Sequence, residues 1–183
     1  QDRIKGSMKN VYWLGKENCA LAKTKSLKHL ATLHGVTLTE HYCNHVAARE
    51  FAMSLAHVIK EDILSAARRN PAHGLMVDES TDVAQHGEMV LYLRILLLGA
   101  FVTVFWRIVR VDDASADGLF ATIEHQYEED MLPKERLFSF ASDGASVMTG
   151  AVDGVAVRLR DAFNVFMLLC HCITHRHALA CAD

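Results

Sequence analysis

Apolar and polar residues recur with two different periods along the chain, and the change of period divides it in two. In residues 1–35 and 43–69 apolar side chains return every three or four positions, which predicts amphipathic helices. The second stretch ends at Asn70-Pro71, because the residue before a proline is disfavoured in helical conformation. We therefore predict an N-terminal helical segment over residues 1–72 and a second domain over residues 73–183.

Short apolar runs in the second domain predict strands. Three strands, at about 74–78, 88–98 and 101–111, are separated only by a polar loop and a tight turn, so they form an antiparallel meander. The nearly unbroken apolar run of the second strand indicates that both of its faces are covered. Behind them the pattern predicts a helix, a strand, a helix and a strand, at about 116–131, 137–141, 152–163 and 165–169. This order predicts an α/β fold of the ribonuclease-H-like type, a mixed sheet of a meander plus parallel strands with flanking helices.

One apolar stretch, Met89–Val109, is long enough to be mistaken for a membrane span. Arg94 and Arg107 lie inside it, where charged side chains would be unfavourable in lipid, and Gly99 interrupts its middle. Two strands joined at Gly99-Ala100 account for the same residues without that penalty. We therefore predict a β-hairpin and no membrane partner.

Composition narrows the class of protein further. A hydrophobic content of 51% excludes a wholly disordered chain. A formal net charge of −3 gives no overall basic character, so any nucleic-acid contact must come from local features. The five cysteines are an odd number without framework spacing, which favours a reduced intracellular compartment over a disulfide scaffold.

The first 35 residues are locally basic, with seven Lys and Arg residues against Asp2 and Glu17. One interpretation is the solvated face of an amphipathic helix. The other is a surface that contacts phosphates, since clustered lysines release counterions from nucleic acid. The sequence leaves both open.

Two predicted strands end in an aspartate, and these acids are the sharpest chemical signal. Leu75-Met76-Val77 runs into Asp78, and Leu137–Ala141 runs into Ser142 and Asp143. If the two strands are parallel neighbours, their carboxylates emerge side by side and repel each other unless a cation compensates. Mg²⁺ or Mn²⁺, which prefer oxygen ligands, would then support phosphoryl transfer on a nucleic acid.

A structural interpretation accounts for the same residues. Asp-Glu-Ser-Thr after a strand, and Ser-Asp-Gly likewise, are common turn and helix-capping sequences. In either interpretation Glu79 and Asp82 are turn residues, or residues that support the two acids from behind.

Five potential metal ligands fall within eight residues near the end of the sequence: Cys170, His171, Cys172, His175 and His177. A structural zinc site needs four ligands, usually as two separated pairs, and the nearest upstream cysteine is Cys43. We therefore favour a structural role for Cys172 and His175, one helical turn apart, and keep zinc binding as the alternative.

Three motifs indicate a family more specifically than the hydrophobic pattern does: MVDESTD at 76–82, SDGASVMTG at 142–150 and HCITHRHALA at 171–180. In this order, and with VYWLGKEN at 11–18, they resemble the catalytic domain of hAT-superfamily DNA transposases. The likeness is greatest to transposon-derived vertebrate proteins described as zinc-finger-protein-like or as a domain of unknown function. It covers roughly residues 10–183.

The resemblance implies a ribonuclease-H-like enzyme that cuts and joins DNA with an Asp–Asp–Glu triad and Mg²⁺ or Mn²⁺. Asp78 would be its first acid and Asp143 its second, and both would bind metal. Cys172 and His175 match the Cys-x-x-His that follows the second acid in that superfamily. Arg107 and Arg110 depart from it, because the corresponding strand is usually more apolar.

The third acid of the family, a glutamate, lies beyond a large helical insertion, whereas no glutamate follows Glu135 in this sequence. The resemblance therefore implies part of a catalytic core, from a fragment or a truncated relic, that is inactive in isolation. The alternative is a non-catalytic module that keeps the fold as a nuclear scaffold. In both cases we expect a nuclear location and DNA as the ancestral partner. Protein partners, or self-association through a region outside these residues, are further expectations.

Overall fold

The computed structural model describes residues 2–81 and 87–172, which form two compact units, Gln1–Asp62 and Ile63–Asp183. The helices of the described part are α1 (Asp2–Lys16), α2 (Thr24–Leu33), α3 (His45–Arg69), α4 (Ala116–Glu129), α5 (Ser146–Thr149) and α6 (Val155–Ala162). The strands are β1 (His73–Thr81), β2 (Gly87–Leu97), β3 (Ala100–Val111), β4 (Leu137–Ser142) and β5 (Leu168–His171). The domain boundary expected at 72/73 stays a prediction.

The first unit consists of α1, α2 and most of α3. Its buried apolar side chains belong to Val11, Leu14, Leu38, Ala47 and Ala48. The end of α2 is capped where the sequence predicts, because Gly35 adopts a φ of +77° and its amide donates to Thr32 O at 2.9 Å. In the same unit Lys28 forms an exposed ion pair with Glu40. Whether the lysines of this segment contact phosphates stays a prediction.

The second unit is built on a five-stranded sheet with the order β3-β2-β1-β4-β5. β1, β2 and β3 pair antiparallel as a meander, whereas β4 pairs parallel with β1 and β5 pairs parallel with β4. This is the predicted mixed sheet of the ribonuclease-H-like type, with flanking helices, and the fold class is confirmed. The strand order puts β1 at the centre, next to the first parallel strand.

Side chains of β2 alternate between the core and the other face of the sheet. Met89, Leu91, Leu93 and Ile95 are buried and pack in one core with residues from α3, α4 and α6. The residues between them are half-buried or exposed. The expectation that both faces of this strand are covered is therefore wrong for the described residues, because only one face meets the helices that follow the meander.

The apolar stretch Met89–Val109 forms the predicted hairpin. Its turn residues are Leu98 and Gly99, with φ values of +51° and +82°. Positive φ at both central positions is the pattern of a type I′ turn, which matches the twist of paired strands. Among the described helices, none has the length and apolar character needed to cross a membrane.

The link between α3 and the sheet is made by Asn70, which ends the helix before Pro71 as predicted. Its buried side chain forms two hydrogen bonds with the backbone of Leu96, as a neighbouring strand would. Asn70 Oδ1 accepts from Leu96 N at 2.9 Å, and Asn70 Nδ2 donates to Leu96 O at 3.1 Å. The asparagine therefore fastens the helix end to β2 while it satisfies buried backbone groups.

Three element boundaries differ from the prediction. β1 runs to Thr81 rather than 78, so Glu79 is a strand residue that pairs with Met89 and not a turn residue. α6 begins at Val155 rather than near 152, and Val152 is exposed in the preceding turn. β5 begins at Leu168 rather than 165, because Asn164 forms a turn in which its Oδ1 accepts from Phe166 N and its carbonyl accepts from Met167 N. Both apolar runs extend into turns, where hydrophobicity alone is a poor guide.

A polar cluster between β3 and α4, the Asp130 cluster, lies against the core. Asp130 Oδ2 accepts from Trp106 Nε1 at 2.7 Å and from Arg107 Nη2. Arg107 also donates to Gln126 and, at 2.7 Å, to Glu129 Oε2. The arginine that departs from the apolar pattern of the resembled family is therefore matched by acceptors on α4.

A second buried polar contact joins β1 to α4. His73 Nε2 lies 3.1 Å from Tyr127 Oη, and the two rings stack with centroids 5.7 Å apart. Burial lowers the pKa of the His73 imidazole to about 4, and burial raises the pKa of the Tyr127 phenol. Both side chains are therefore neutral at pH 7.

Candidate metal-binding edge of the sheet

β1 carries Asp78 and Glu79 to the edge of the sheet where its buried part stops. Leu75 and Val77 anchor the strand in the core, whereas Asp78 and Glu79 are exposed. Successive side chains of a strand point to opposite faces, so the two acids lie on different sides of the sheet. Asp78 pairs with Val90, a half-buried position, and Glu79 pairs with the core residue Met89.

β4 brings Asp143 to the same edge. The parallel register joins Gly74 to Ser139, Leu75 to Phe140 and Met76 to Ala141. Asp78 and Asp143 stand two residues further along the chain. The β1–β4 pairing ends at Met76–Ala141, and Asp143 lies in the turn after β4; the same register continued by two residues would bring it beside Asp78.

The electrostatics of Glu79 report how close the acids are. Partial burial, followed by the negative charges of Asp143 and Asp78, raises the pKa of the Glu79 carboxyl. Glu79 is therefore electrostatically coupled to both aspartates. The sequence interpretation of Glu79 as a turn or supporting residue did not include this coupling.

The turn after Asp143 is fixed by several hydrogen bonds. Asp143 Oδ1 accepts from Ala145 N at 3.0 Å, an Asx turn that orients the carboxylate. The next residue, Gly144, has a φ of +93°, a conformation that favours glycine. His171 Nε2 lies 2.6 Å from the Asp143 carbonyl oxygen.

The sequence did not predict that His171 in particular would lie at this edge. This histidine was counted only as one of five potential ligands near the end of the sequence. A stronger signal was available, because the glycine of Ser-Asp-Gly marks a place where another group approaches the backbone closely. Only the pairing of Ser142 with His171 shows which group that is.

The other predicted site residues divide into described and undescribed positions. Cys172 is half-buried, and its amide donates to Ser142 O at 2.9 Å, which joins it to the strand of Asp143. His175 and Asp82 lie outside the described residues. The structural role of Cys172 and His175, and the zinc alternative, both stay predictions.

The donor set at this edge fits a hard divalent cation in part. Over residues 2–81 and 87–172, no three His, Cys, Asp or Glu side chains are arranged to hold a metal ion together. Mg²⁺, however, keeps several water ligands and commonly takes only one or two carboxylates from a protein. Asp78 and Asp143 are the two carboxylates that would hold such an ion, and Glu79 is a third negative charge nearby.

Comparisons with solved structures give distant likenesses. A Bacteroides thetaiotaomicron protein with an actin-like ATPase fold and unknown function is 10% identical, with a TM-score of 0.36, over 70% of this chain and 44% of that one. Human ENDOV is 18% identical, with a TM-score of 0.31, over 59% of this chain and 54% of that one. The catalytic domain of human Endonuclease V is 17% identical, with a TM-score of 0.31, over 60% of this chain and 53% of that one. The chain thus matches about half the length of each of these structures.

Comparison with family models gives a match over most of the sequence. The model of the family described as "ZMYM1/FAM200, RNase-like domain" matches residues 9–154, a range that includes Asp78, Glu79 and Asp143. The sequence resemblance to a zinc-finger-protein-like, transposon-derived group is thereby supported at the level of an RNase-like family. The chain belongs to the ZMYM1/FAM200 RNase-like domain family.

Proposed function

We propose that this chain is part of the catalytic core of an hAT-type DNA transposase or of a domesticated descendant. Its ancestral activity is metal-dependent cleavage and strand transfer of DNA. Membership of an RNase-like family and the mixed sheet are consistent with that origin. The finer assignment to the hAT superfamily rests on the three motifs, MVDESTD, SDGASVMTG and HCITHRHALA.

The observation that carries the proposal is the placement of Asp78 and Asp143. Asp78 lies in β1 and Asp143 directly follows the neighbouring parallel strand β4, and the pKa of Glu79 is raised by partial burial and by the charges of both aspartates. An uncompensated cluster of carboxylates destabilises a fold unless a cation or a proton relieves it. A site that gathers like charges at a strand edge is therefore suited to a divalent cation.

In this proposal Asp78 and Asp143 hold Mg²⁺ or Mn²⁺. When bound, the cation supplies charge stabilisation for a phosphodiester and lowers the pKa of a bound water or 3′-hydroxyl. The chain contributes rigid positioning, since Leu75 and Val77 fix the end of β1 in the core and the Asx turn fixes the carboxylate of Asp143.

The proposed site is two-thirds of a triad. No glutamate follows Glu135 in the sequence, so these residues supply two aspartates and we expect no DNA cleavage by the isolated chain. DNA as the partner, and a nuclear location where that partner resides, are parts of the same proposal.

A second candidate function is a non-catalytic interaction module that keeps the fold. It is favoured by the lack of any three-ligand metal group in the described residues. The two candidates differ in one property that can be measured directly: the catalytic descendant binds a divalent cation at Asp78 and Asp143, and the module does not.

Titration calorimetry with MnCl₂ separates the two candidates. We expect the wild type to bind Mn²⁺, and D78N and D143N each to weaken binding by about tenfold or more, roughly 1.4 kcal/mol, because each loses one charged ligand. The matched control is D161N, which removes an exposed aspartate near the end of α6. Its Mn²⁺ affinity should equal that of the wild type.

Two results would contradict the catalytic assignment. One is a wild type that binds no Mn²⁺ at millimolar concentration. The other is equal Mn²⁺ affinity of the wild type, D78N and D143N, which would place the bound ion elsewhere. Either result would favour the interaction module.

A further inference from the structure

The end of β5 lies against the turn that carries Asp143. β5 pairs parallel with β4, and its last residue, His171, is the partner of Ser142. One residue on, the amide of Cys172 donates to Ser142 O at 2.9 Å, which continues the pairing to the very end of the strand. The backbone at His171 therefore has a defined position relative to the turn.

The side chain of His171 reaches across this turn. Its Nε2 lies 2.6 Å from the carbonyl oxygen of Asp143. A carbonyl oxygen can only accept, so Nε2 carries the hydrogen and donates it. The bond is made to the backbone of Asp143, and it leaves the carboxylate of that residue available for another partner.

The exposed ring of His171 packs directly over Gly144. A Cβ at residue 144 would lie 2.0 Å from His171 Nε2 and 2.3 Å from Cε1, distances that no real contact tolerates. The positive φ of Gly144 independently excludes most other residues. The histidine ring therefore occupies the space that a side chain at 144 would fill.

The backbone and the carboxylate of Asp143 are coupled through the same turn. Its carbonyl is held by His171, and its Oδ1 is held by the amide of Ala145, on the far side of Gly144. A shift of the peptide plane between Asp143 and Gly144 would move the amide of Ala145 and with it the direction of the carboxylate. The His171 ring blocks that shift by contact and by hydrogen bond.

We propose that His171 is the positioning residue of Asp143: its Nε2–H and its ring fix the turn that aims the carboxylate at the edge shared with Asp78. The inference rests on the proposed metal site, because aiming Asp143 matters for function only if that carboxylate binds a cation. Mutation of a residue that hydrogen-bonds to a metal ligand commonly lowers the metal affinity by about ten- to a hundredfold.

The test compares three substitutions that separate the ring from the donor. H171F keeps a ring and removes the donor. H171Q keeps a donor with nearly the reach of Nε2, and H171N keeps a donor that is too short. The control is H125F, which changes an exposed histidine on α4. Mn²⁺ affinity by calorimetry and hydrogen exchange of the Ala145 amide are measured for each full chain, together with thermal unfolding.

We expect H171F and H171N to weaken Mn²⁺ binding by about tenfold and to accelerate exchange of the Ala145 amide by a similar factor. H171Q should recover most of both values, and H125F should match the wild type. Rescue by H171Q identifies the donated hydrogen bond, whereas a purely structural role would show equal losses of melting temperature without a difference between Gln and Asn.

The outcomes distinguish the inference from the proposed function. Unchanged Mn²⁺ affinity and unchanged Ala145 exchange in both H171F and H171N would overturn the inference while the metal site stands. If the wild type binds no Mn²⁺ while these variants still show faster Ala145 exchange, the metal site is overturned, and with it the functional role of His171. If H171F does not fold, the contrast between H171Q and H171N decides by the same two readouts.

Discussion

Replacing Asp130 with alanine should lower the free energy of unfolding by about 3–5 kcal/mol, the range for breaking a buried ion pair on one side. Asp130 is 7% exposed and Arg107 has a side-chain exposure of 14%. The substitution removes the acceptor of Trp106 Nε1 and the main counter-charge of Arg107 at once. Arg107 Nε is already buried without a partner among the described residues, so the substitution would add to the unsatisfied donors of the guanidinium.

The neighbouring residue provides a matched control for this prediction. Glu129 also accepts from Arg107, at 2.7 Å, but its side chain is 54% exposed. E129A should therefore cost less than about 1 kcal/mol, as exposed ion pairs do. Urea denaturation of the wild type, D130A and E129A measures both values. Equal losses for the two variants would refute the assignment of Asp130 as the buried partner.

Acid should destabilise the protein through His73, by about 3 kcal/mol between pH 7 and pH 4 from this one group. The pKa of the imidazole is lowered from 6.5 to about 4, mainly by burial, with the charge of Glu135 opposing the shift and that of Arg136 adding to it. Between these two pH values the unfolded chain binds a proton at His73 and the folded chain does not. The contribution is therefore fully present above the unfolded pKa and is lost as pH falls from 6.5 towards 4.

The structure supplies the reason for that depressed pKa. His73 is 3% exposed, and an imidazolium needs acceptors for both ring nitrogens. Nε2 faces the hydroxyl of Tyr127, whereas Nδ1 is buried and has no partner in the described part of the chain. Protonation would therefore bury a charge with an unsatisfied donor.

The pH effect is measured as a difference between variants, because many carboxylates also titrate in this range. H73F has no ionisable ring, so the unfolding free energy of the wild type minus that of H73F should fall by about 3 kcal/mol from pH 7 to pH 4. H57F, which replaces an exposed histidine on α3, should leave this pH dependence unchanged. A difference between wild type and H73F that does not vary with pH would contradict a buried neutral His73.

Local pattern was sufficient to predict the strands and the main helices, although not the end of β1 or the start of β5. The apolar run Leu75-Met76-Val77 and the stop signal of Asn70-Pro71 depend on neighbouring residues, and the structure shows a strand and a helix end there. The same local logic predicts that Asp78 and Asp143 follow strand ends; Asp143 does follow β4, whereas β1 continues past Asp78 to Thr81.

Long-range pairing was beyond the reach of the sequence. Arg107 reads as a departure from an apolar strand, because its partner Asp130 lies 23 residues away on another element. His171 and Asp143 are 28 residues apart, and only the register of β5 on β4 joins them. The raised pKa of Glu79 likewise follows from its partial burial and from the charges of Asp143 and Asp78, a combination that no single motif displays.

The central claim is a divalent-cation site at the edge where β1 and β4 end, and paramagnetic broadening by Mn²⁺ tests it at residue level. Substoichiometric Mn²⁺ should first broaden the backbone amide signals of Asp78, Glu79 and 143–145 in ¹H–¹⁵N spectra. D143N should abolish this selective broadening at the same Mn²⁺ concentration. Broadening that begins instead at Glu124, Glu128 and Glu129 of α4, or that is equal in the wild type and D143N, would contradict the site.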